Sequence, residues 1–430
     1  LVLRAFVNAF KVPDLRNKIL FTLLIIAVYR LGSHVPVPVV DIGRLQSALD
    51  KQGQGGFLSF IDLFSGGALT RMAVFGLGIM PYITSSIIMQ LLTVVIPKLE
   101  RWQKEGESGV KKINQTTRYV TVLLALLQST GLVFLFHSRS NQLGGVDIFP
   151  AGSFTAPNIA LIVLVMTAGT ATIMWMGELI TQRGIGNGMS VLIFSSVISR
   201  LPQEGRAIFK SAGAFKFGVI FLIGLLIIVA VIYIEQGQRR IPVQYAKRVV
   251  GRRMTTGGST YIPLKVNQAG VIPIIFASSV LYFPTLVASV YHAGWFQTVV
   301  NNYLTNQRSL VYMSVFGILV VFFAYFYTAI AFNPVDTADS LRQYGGFIPG
   351  IRPGQPTSDY LNDVLVRITL PGSLFLAAIA LLPTIVLAVW VIQQFPFGGT
   401  SLLITVGVAL ETMKQLESQL LMRHYEGFLE

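Results

Sequence analysis

The sequence predicts an all-α integral membrane protein: ten transmembrane helices in two inverted five-helix halves, with a short re-entrant helix between the first two spans. Three observations predict it. The chain is 53% apolar and only 12% charged, whereas soluble domains carry roughly 25% charged residues. Ten of its runs are apolar over a length that fits a bilayer. Its Lys and Arg residues also fall unevenly on the two sides that an alternation of ten spans defines, as expected when basic residues are retained in the cytoplasm.

The candidate spans run over residues 19–36, 73–97, 119–137, 158–179, 187–201, 217–235, 268–291, 309–332, 369–393 and 400–420. With the N-terminus inside, the inner segments are 1–18, 98–118, 181–186, 236–265, 333–368 and 411–430, and they hold 23 of the 33 Lys and Arg. Both termini are therefore expected in the cytoplasm. The first half covers 19–201 and the second 217–420, joined by an outer linker at 202–216, with a cytoplasmic segment at 1–18 and a tail at 421–430. Five spans per half is an odd number, so the second half enters the membrane the opposite way, and parity permits an inverted repeat. The first apolar run is long and has no small-residue cleavage pattern after it, so it is expected to stay as a span rather than to leave as a signal peptide.

Charge and composition exclude several classes. A single water-soluble core would be near its useful limit at 430 residues. The net charge of +14 suits nucleic-acid binding or cytoplasmic loops, and its distribution makes loops sufficient, although ribosomal RNA could still meet one. The absence of cysteine removes disulfides and thiolate metal sites. No Asp, Glu, Lys or Arg lies within 73–97, 119–136, 158–177, 217–234, 268–291, 309–332 or 369–393. Proton pumps and voltage sensors need such groups at depth. No Walker-type phosphate loop occurs, and the run Gly184-Ile185-Gly186-Asn187-Gly188 is too short for one. His34, His137, His292 and His424 sit near span ends and read as interface residues. No catalytic residue, metal site or cofactor is expected.

Four stretches stand out. Phe64-Ser65-Gly66-Gly67-Ala68-Leu69-Thr70-Arg71 precedes Phe75-Gly76-Leu77-Gly78-Ile79-Met80-Pro81-Tyr82-Ile83-Thr84. Residues 60–71 are too short to span and glycine-hinged, so they read as a re-entrant helix inside the bundle or as an interfacial outer loop. Ile79, Ile83 and Ile87 recur every four residues and form one helical stripe, a spacing that ordinary packing also gives. Trp175 to Ser190 carries the glycine-rich inner turn between two spans. Arg239-Arg240-Ile241-Pro242-Val243-Gln244-Tyr245-Ala246-Lys247-Arg248, then Arg252-Arg253 and Ile262-Pro263-Leu264-Lys265, suggest a projecting two-stranded hairpin. Such an ordered loop exceeds what topology needs and points to a partner. Lastly, Asn333-Pro334-Val335-Asp336 and Gly346-Phe347-Ile348-Pro349-Gly350-Ile351-Arg352-Pro353-Gly354 place Arg352 on a stiff inner loop, as a recognition group or a turn-closing one.

Together with Pro273-Ile274-Ile275-Phe276-Ala277-Ser278-Ser279 and Gly398-Gly399-Thr400-Ser401-Leu402-Leu403-Ile404, these stretches resemble, in order and over about residues 14–420, the signature blocks of the SecY family of protein-translocation channels. The resemblance implies an hourglass pore between the halves, with a constriction ring of Ile79, Ile83, Ile193, Ile275 and Ile404. It implies a plug at 63–72, made of Phe64, Ser65, Gly66, Gly67, Ala68, Leu69, Thr70 and Arg71. It implies a lateral gate between the second and seventh spans, with Thr84, Ile87 and Phe283. Arg239, Arg240, Lys247, Arg248, Arg252, Arg253 and Arg352 would receive the ribosome or the SecA motor ATPase. Small SecE and SecG subunits, signal peptides, unfolded polypeptides and the lipid bilayer of a bacterial inner membrane complete the implied partners. Two other readings compete. A secondary transporter of a small solute needs polar ligands at the midplane, and a membrane-embedded enzyme needs a nucleophile–base pair or a metal at depth; neither set is found in the spans.

Overall fold

A computed structural model of the chain describes residues 10, 12–41, 43, 65–138, 149, 154–245, 249–250, 253–254, 259–290, 294–304, 309–390 and 399–426. Each of the ten expected spans corresponds to a helical run. In chain order the helices are α1 (Pro13–Gly32), α2 (Met80–Val95), a short α3 (Pro97–Lys104), α4 (Glu107–Ser138), α5 (Ala156–Arg183), α6 (Gly188–Gln236), α7 (Ile272–Val290), a short α8 (Gly294–Val299), α9 (Leu310–Ala331), α10 (Pro334–Gln343), α11 (Gln355–Trp390) and α12 (Gly399–Glu426), of which α3, α8 and α10 lie between the expected spans. Two expected spans share α6, which breaks at Gly213, where φ is +79°. Among the described residues five helices are long and apolar enough to cross a membrane, or six if the bent pair α2–α3 counts as one span.

Local chemistry sets the helix ends. Proline at the first turn of α1, α2, α3, α5 and α10 lacks an N–H that would have no intrahelical partner there. The Asn187 side chain caps α6 by accepting from the Met189 and Ser190 amides at 3.1 and 3.4 Å, and Asn333 caps α10 through the Val335 amide at 3.1 Å. Between α2 and α3 the chain turns by 99°. Ile96 is extended there and Pro97 follows it, because a residue before proline is pushed out of the helical region.

Three apolar cores organise the bundle. One lies within the first half and joins Leu132, Phe136, Ile162 and Met166 to Leu69 and Met72. One lies within the second half and joins Ile227, Phe276, Phe323 and Leu376 to Leu402. The third draws on α1, α2, α5, α6, α7 and α12, so it contains residues of both halves. The outward faces of the spans carry exposed Leu, Phe and Val, such as Leu222 and Leu226 of α6 and Phe322 of α9. Lipid covers such faces without any further protein.

Three sequence expectations change. The second span was expected from residue 73, but helix α2 begins at Met80 and residues 73–79 are a chain of turns. The linker 202–216 was expected to be a loop, but helix continues to Gly213 and resumes beyond it, with Phe217 folded back on Phe209 at 5.7 Å between ring centroids. The hairpin expected at 236–265 gains a third strand. β1 (Gln238–Tyr245) pairs antiparallel with β4 (Ser259–Lys265), and β5 (Gly346–Phe347) of the next inner loop adds to its other edge. β2 (Val249–Val250) and β3 (Arg253–Met254) pair between them.

Glycine permits a close crossing of α5. A Cβ on Gly169 would collide with the Val74 carbonyl oxygen of the 73–79 segment. Gly169→Ala is therefore expected to destabilise the protein by about 1–3 kcal/mol, the usual range for overpacking. The check is the thermal unfolding midpoint of the detergent-solubilised chain; an unchanged midpoint refutes the close crossing.

Candidate functional site

Ile79, Ile193, Ile275 and Ile404 are buried in the central core, and Ile83 packs against it half-buried. Four elements deliver them. Ile79 stands just before α2, where its carbonyl accepts the Ile83 amide at 3.1 Å and opens the helix. Ile83 lies one turn on. Ile193 comes from α6, Ile275 from α7 and Ile404 from α12. The first two of these elements belong to the first half and the last two to the second.

A cavity of 680 Å³ adjoins this cluster. Ile83, Ile193 and Ile275 line it, whereas Ile79 and Ile404 do not. The rest of its wall mixes polar side chains, among them Gln90, Asn187, Gln268, Glu411 and Lys414, with apolar ones such as Ile87, Val271 and Val408. Glu235 is fixed there by the Asn267 amide, which donates to the carboxylate at 2.9 Å and to the Gly270 carbonyl at 3.0 Å. The cavity thus joins aliphatic side chains of the cluster to polar groups that can hold water.

Of the expected gate residues, Ile87 stands where two cores meet, packing against both the central core and the second-half core. Thr84 is half-buried and returns its hydroxyl to the Met80 carbonyl at 2.9 Å. α7 meets the first half through α4, to which α2 is tied by the Ser85 hydroxyl on the Thr117 carbonyl at 2.7 Å. Phe283 belongs to α7, and its side chain lies outside the described residues.

Of the expected plug, Phe64 lies outside the described residues. Gly66 and Gly67 take positive φ, at +64° and +88°, a region comfortable only for glycine. Leu69–Arg71 forms one 3₁₀ turn, stabilised by the Ser65 hydroxyl, which accepts the Leu69 amide at 3.2 Å. The Thr70 hydroxyl donates to the Gly67 carbonyl at 2.9 Å, and Arg71 is half-buried. Ser65, Ala68, Leu69 and Met72 are buried.

Among the described basic residues, Arg239, Arg240 and Arg352 stand on one ordered unit. β1 turns Ile241 and Val243 into a small core with Leu264, Ile348 and Leu361, and leaves Arg239 and Arg240 exposed. The Arg240 guanidinium lies 4.8 Å over the Tyr261 ring. Arg352 is exposed, next to Ile351, which packs on the same core. Lys247, Arg248 and Arg252 lie outside the described residues, as does the side chain of Arg253, whose backbone pairs with Val250 in the β2–β3 ladder.

The SecY family pattern matches residues 73–413. The protein translocase subunit SecY of Streptomyces griseus is 54% identical over 437 residues, covering 99% of each chain. The chain belongs to the SecY family. It is accordingly a multi-pass membrane protein of a channel-subunit family. A solved SecY structure, determined for its plug domain, superimposes with a TM-score of 0.63 at 17% identity, over 94% of this chain and 92% of that one. Sec61 from a canine ribosome–channel complex gives 0.59 at 16% identity, over the same shares. At those identities the likeness concerns the fold.

Two features of this SecY-family chain were not anticipated. Arg30 lies inside the first span and reaches Gly66 and Ser195; its signal was visible, as a lone basic residue within an apolar run. Arg118 of α4 and Glu178 of α5 form a forked pair with both contacts at 2.7 Å. Nothing in the sequence marks residues 60 positions apart as partners. Glu178→Ala is expected to lower stability by about 1–3 kcal/mol, as for hydrogen bonds to charged groups. A double-mutant cycle with Arg118→Ala reads the coupling; additivity of the two changes refutes it.

Proposed function

We propose that this chain is a protein-conducting channel that passes unfolded secretory polypeptides across the membrane and releases hydrophobic segments sideways into lipid. One observation carries the reading: aliphatic side chains from both halves meet in a buried cluster that adjoins a cavity with polar groups in its wall. An extended chain in bare lipid would leave its peptide groups unsatisfied, at several kcal/mol each. A watered cavity removes that penalty. A neck of branched aliphatic side chains excludes water and ions, yet closes around a passing chain without reading its sequence. Ile79, Ile83, Ile193, Ile275 and Ile404 form this neck, and Phe64 to Arg71 the plug beyond it. The seam at Thr84, Ile87 and Phe283 is the sideways exit, through which a segment partitions by its own transfer energy.

The protein acts in the bacterial plasma membrane with both termini in the cytoplasm, a placement supported by the Lys and Arg asymmetry of its loops. The basic sheet faces the driving partner, a ribosome or the SecA motor, and SecE and SecG complete the channel. The fold's likeness to a ribosome-bound Sec61 supports the ribosome as one such partner. The chain works as a conduit, and its driving energy comes from the partner or from the proton motive force.

In planar bilayers, Ile83→Ser with Ile275→Ser is expected to raise resting ion conductance roughly tenfold or more, because a polar neck holds water. Channels as tight as the parent, also after deletion of the plug, would place the pore elsewhere. For the docking surface, Arg239→Glu with Arg240→Glu is expected to weaken ribosome or motor binding roughly 10- to 100-fold at low salt, with the difference shrinking at high salt. Equal affinities at low salt remove that surface from the interface.

A further inference from the structure

Arg30 stands in the last turn of α1, within the apolar 19–36 run, and is half-buried. A half-buried guanidinium is costly unless oxygens await it. Here the acceptors come from two distant parts of the chain. Nη1 donates to the Gly66 carbonyl at 3.3 Å, Nε to the Ser195 hydroxyl at 3.4 Å, and Nη2 to the Ser195 carbonyl. The neighbouring residue completes the junction. The Tyr29 hydroxyl shares a hydrogen bond of 2.7 Å with Ser196, and the Tyr29 ring stacks on Phe75 at 5.8 Å.

These contacts grip both ends of one segment. Gly66 stands at its start, and Phe75 lies four residues before Ile79 at its end. The other side of the junction is α6, two and three residues beyond Ile193. The fit at Gly66 is tight: a Cβ there would lie 2.7 Å from Arg30 Nη1 and 3.0 Å from the Ser196 Cα. All three acceptors of Arg30 are neutral oxygens. Such bonds are weaker than a guanidinium–carboxylate pair, and water can replace each of them when a path for water opens.

We propose that Arg30 is the latch that holds the 66–79 segment against α6, so that its release is coupled to opening of the isoleucine neck. It is a positioning residue: it touches no passing chain and acts through Gly66 and Ser195. The proposal rests on the reading of the pore given above.

The chain contains no cysteine, so a single engineered thiol is unique. Ala68 is fully buried in the segment. In Ala68→Cys proteoliposomes, the modification rate by a membrane-impermeant maleimide reports how often the segment leaves its site, with no substrate present. Arg30→Gln and Arg30→Lys are each expected to raise this rate roughly tenfold or more, together with resting conductance, while the unfolding temperature stays near that of the parent. Gly66→Ala, which forces the same contact apart from the other side, is expected to act in the same direction and serves if the Arg30 variants fail to accumulate. Unchanged modification rates overturn the latch. So does a faster rate accompanied by a matching fall in unfolding temperature, which makes Arg30 a general structural anchor. Because this readout needs no transport, failure of the parent chain to carry a secretory polypeptide refutes the pore reading separately.

Discussion

Ile79 and Ile193 of the first half share a buried cluster with Ile275 and Ile404 of the second, and the rest of the structure is arranged around this contact. Each half has its own apolar core, one built on α4 and α5 and the other on α9, α11 and α12. The central cluster can therefore separate without unfolding either half. Its attraction is non-directional and scales with buried area, at about 25 cal/mol per Å². On the proposed reading, a contact of that kind yields gradually and re-forms around whatever passes. A hydrogen-bonded neck would instead present unsatisfied groups as soon as it parted.

The buried cluster is hydrophobic, and the adjoining cavity wall adds polar and charged side chains, with Glu235 held by Asn267 and with Glu411 and Lys414 on α12. Beyond the cavity the inner loops form a small folded unit. Two strands come from one loop and the third from the next, over a core of Ile241, Val243, Leu264, Ile348 and Leu361. A sheet stiffens the basic residues it presents, so less conformational entropy is lost when they meet a partner. It is also continuous with the spans: β4 ends at Lys265, near the start of α7, and α11 rises from the same unit. A load on the sheet is thereby applied to helices of the second half.

Much of this was legible in the sequence. Span number and order followed from apolar length, and the hairpin from alternation around Pro242 and Ile262. Other parts carried no local signal. β5 is two residues long, Gly346 and Phe347, and exists only because β1 offers an edge. The turns at 73–79 are as apolar as a helix, so hydropathy could not separate the two. Gly76 and Gly78 were the available clue, and Gly78 takes a φ of +59°. The isoleucine cluster was read from family likeness, since periodicity alone relates Ile79, Ile83 and Ile87 on one helix and says nothing of Ile275 or Ile404. The Arg118–Glu178 fork and the reach of Arg30 to Ser195 depend on which helices are neighbours, which a single sequence does not encode locally.

The irregular stretch from Ser65 to Ile79 links these levels. Backbone polar groups inside a bilayer must be satisfied within the protein, and in this stretch several are satisfied by local turns. Met72 bonds to Leu69, Ala73 to Ala68, Gly76 to Ala73 and Gly78 to Phe75, all at 2.8–2.9 Å. Two further bonds run across to the end of the first span, from Val37 to Met72 at 2.8 Å and from Val74 to Val35 at 2.9 Å. The short-range turns travel with the segment if it moves. The two cross-links and the Arg30 contacts do not, so displacement exposes groups that only water can satisfy. Water reaches them only if the aliphatic neck has parted. On the proposed reading, wetting of the neck and departure of the segment are one coupled event, and a sealed resting state follows from hydrogen-bond satisfaction as much as from the fit of apolar side chains.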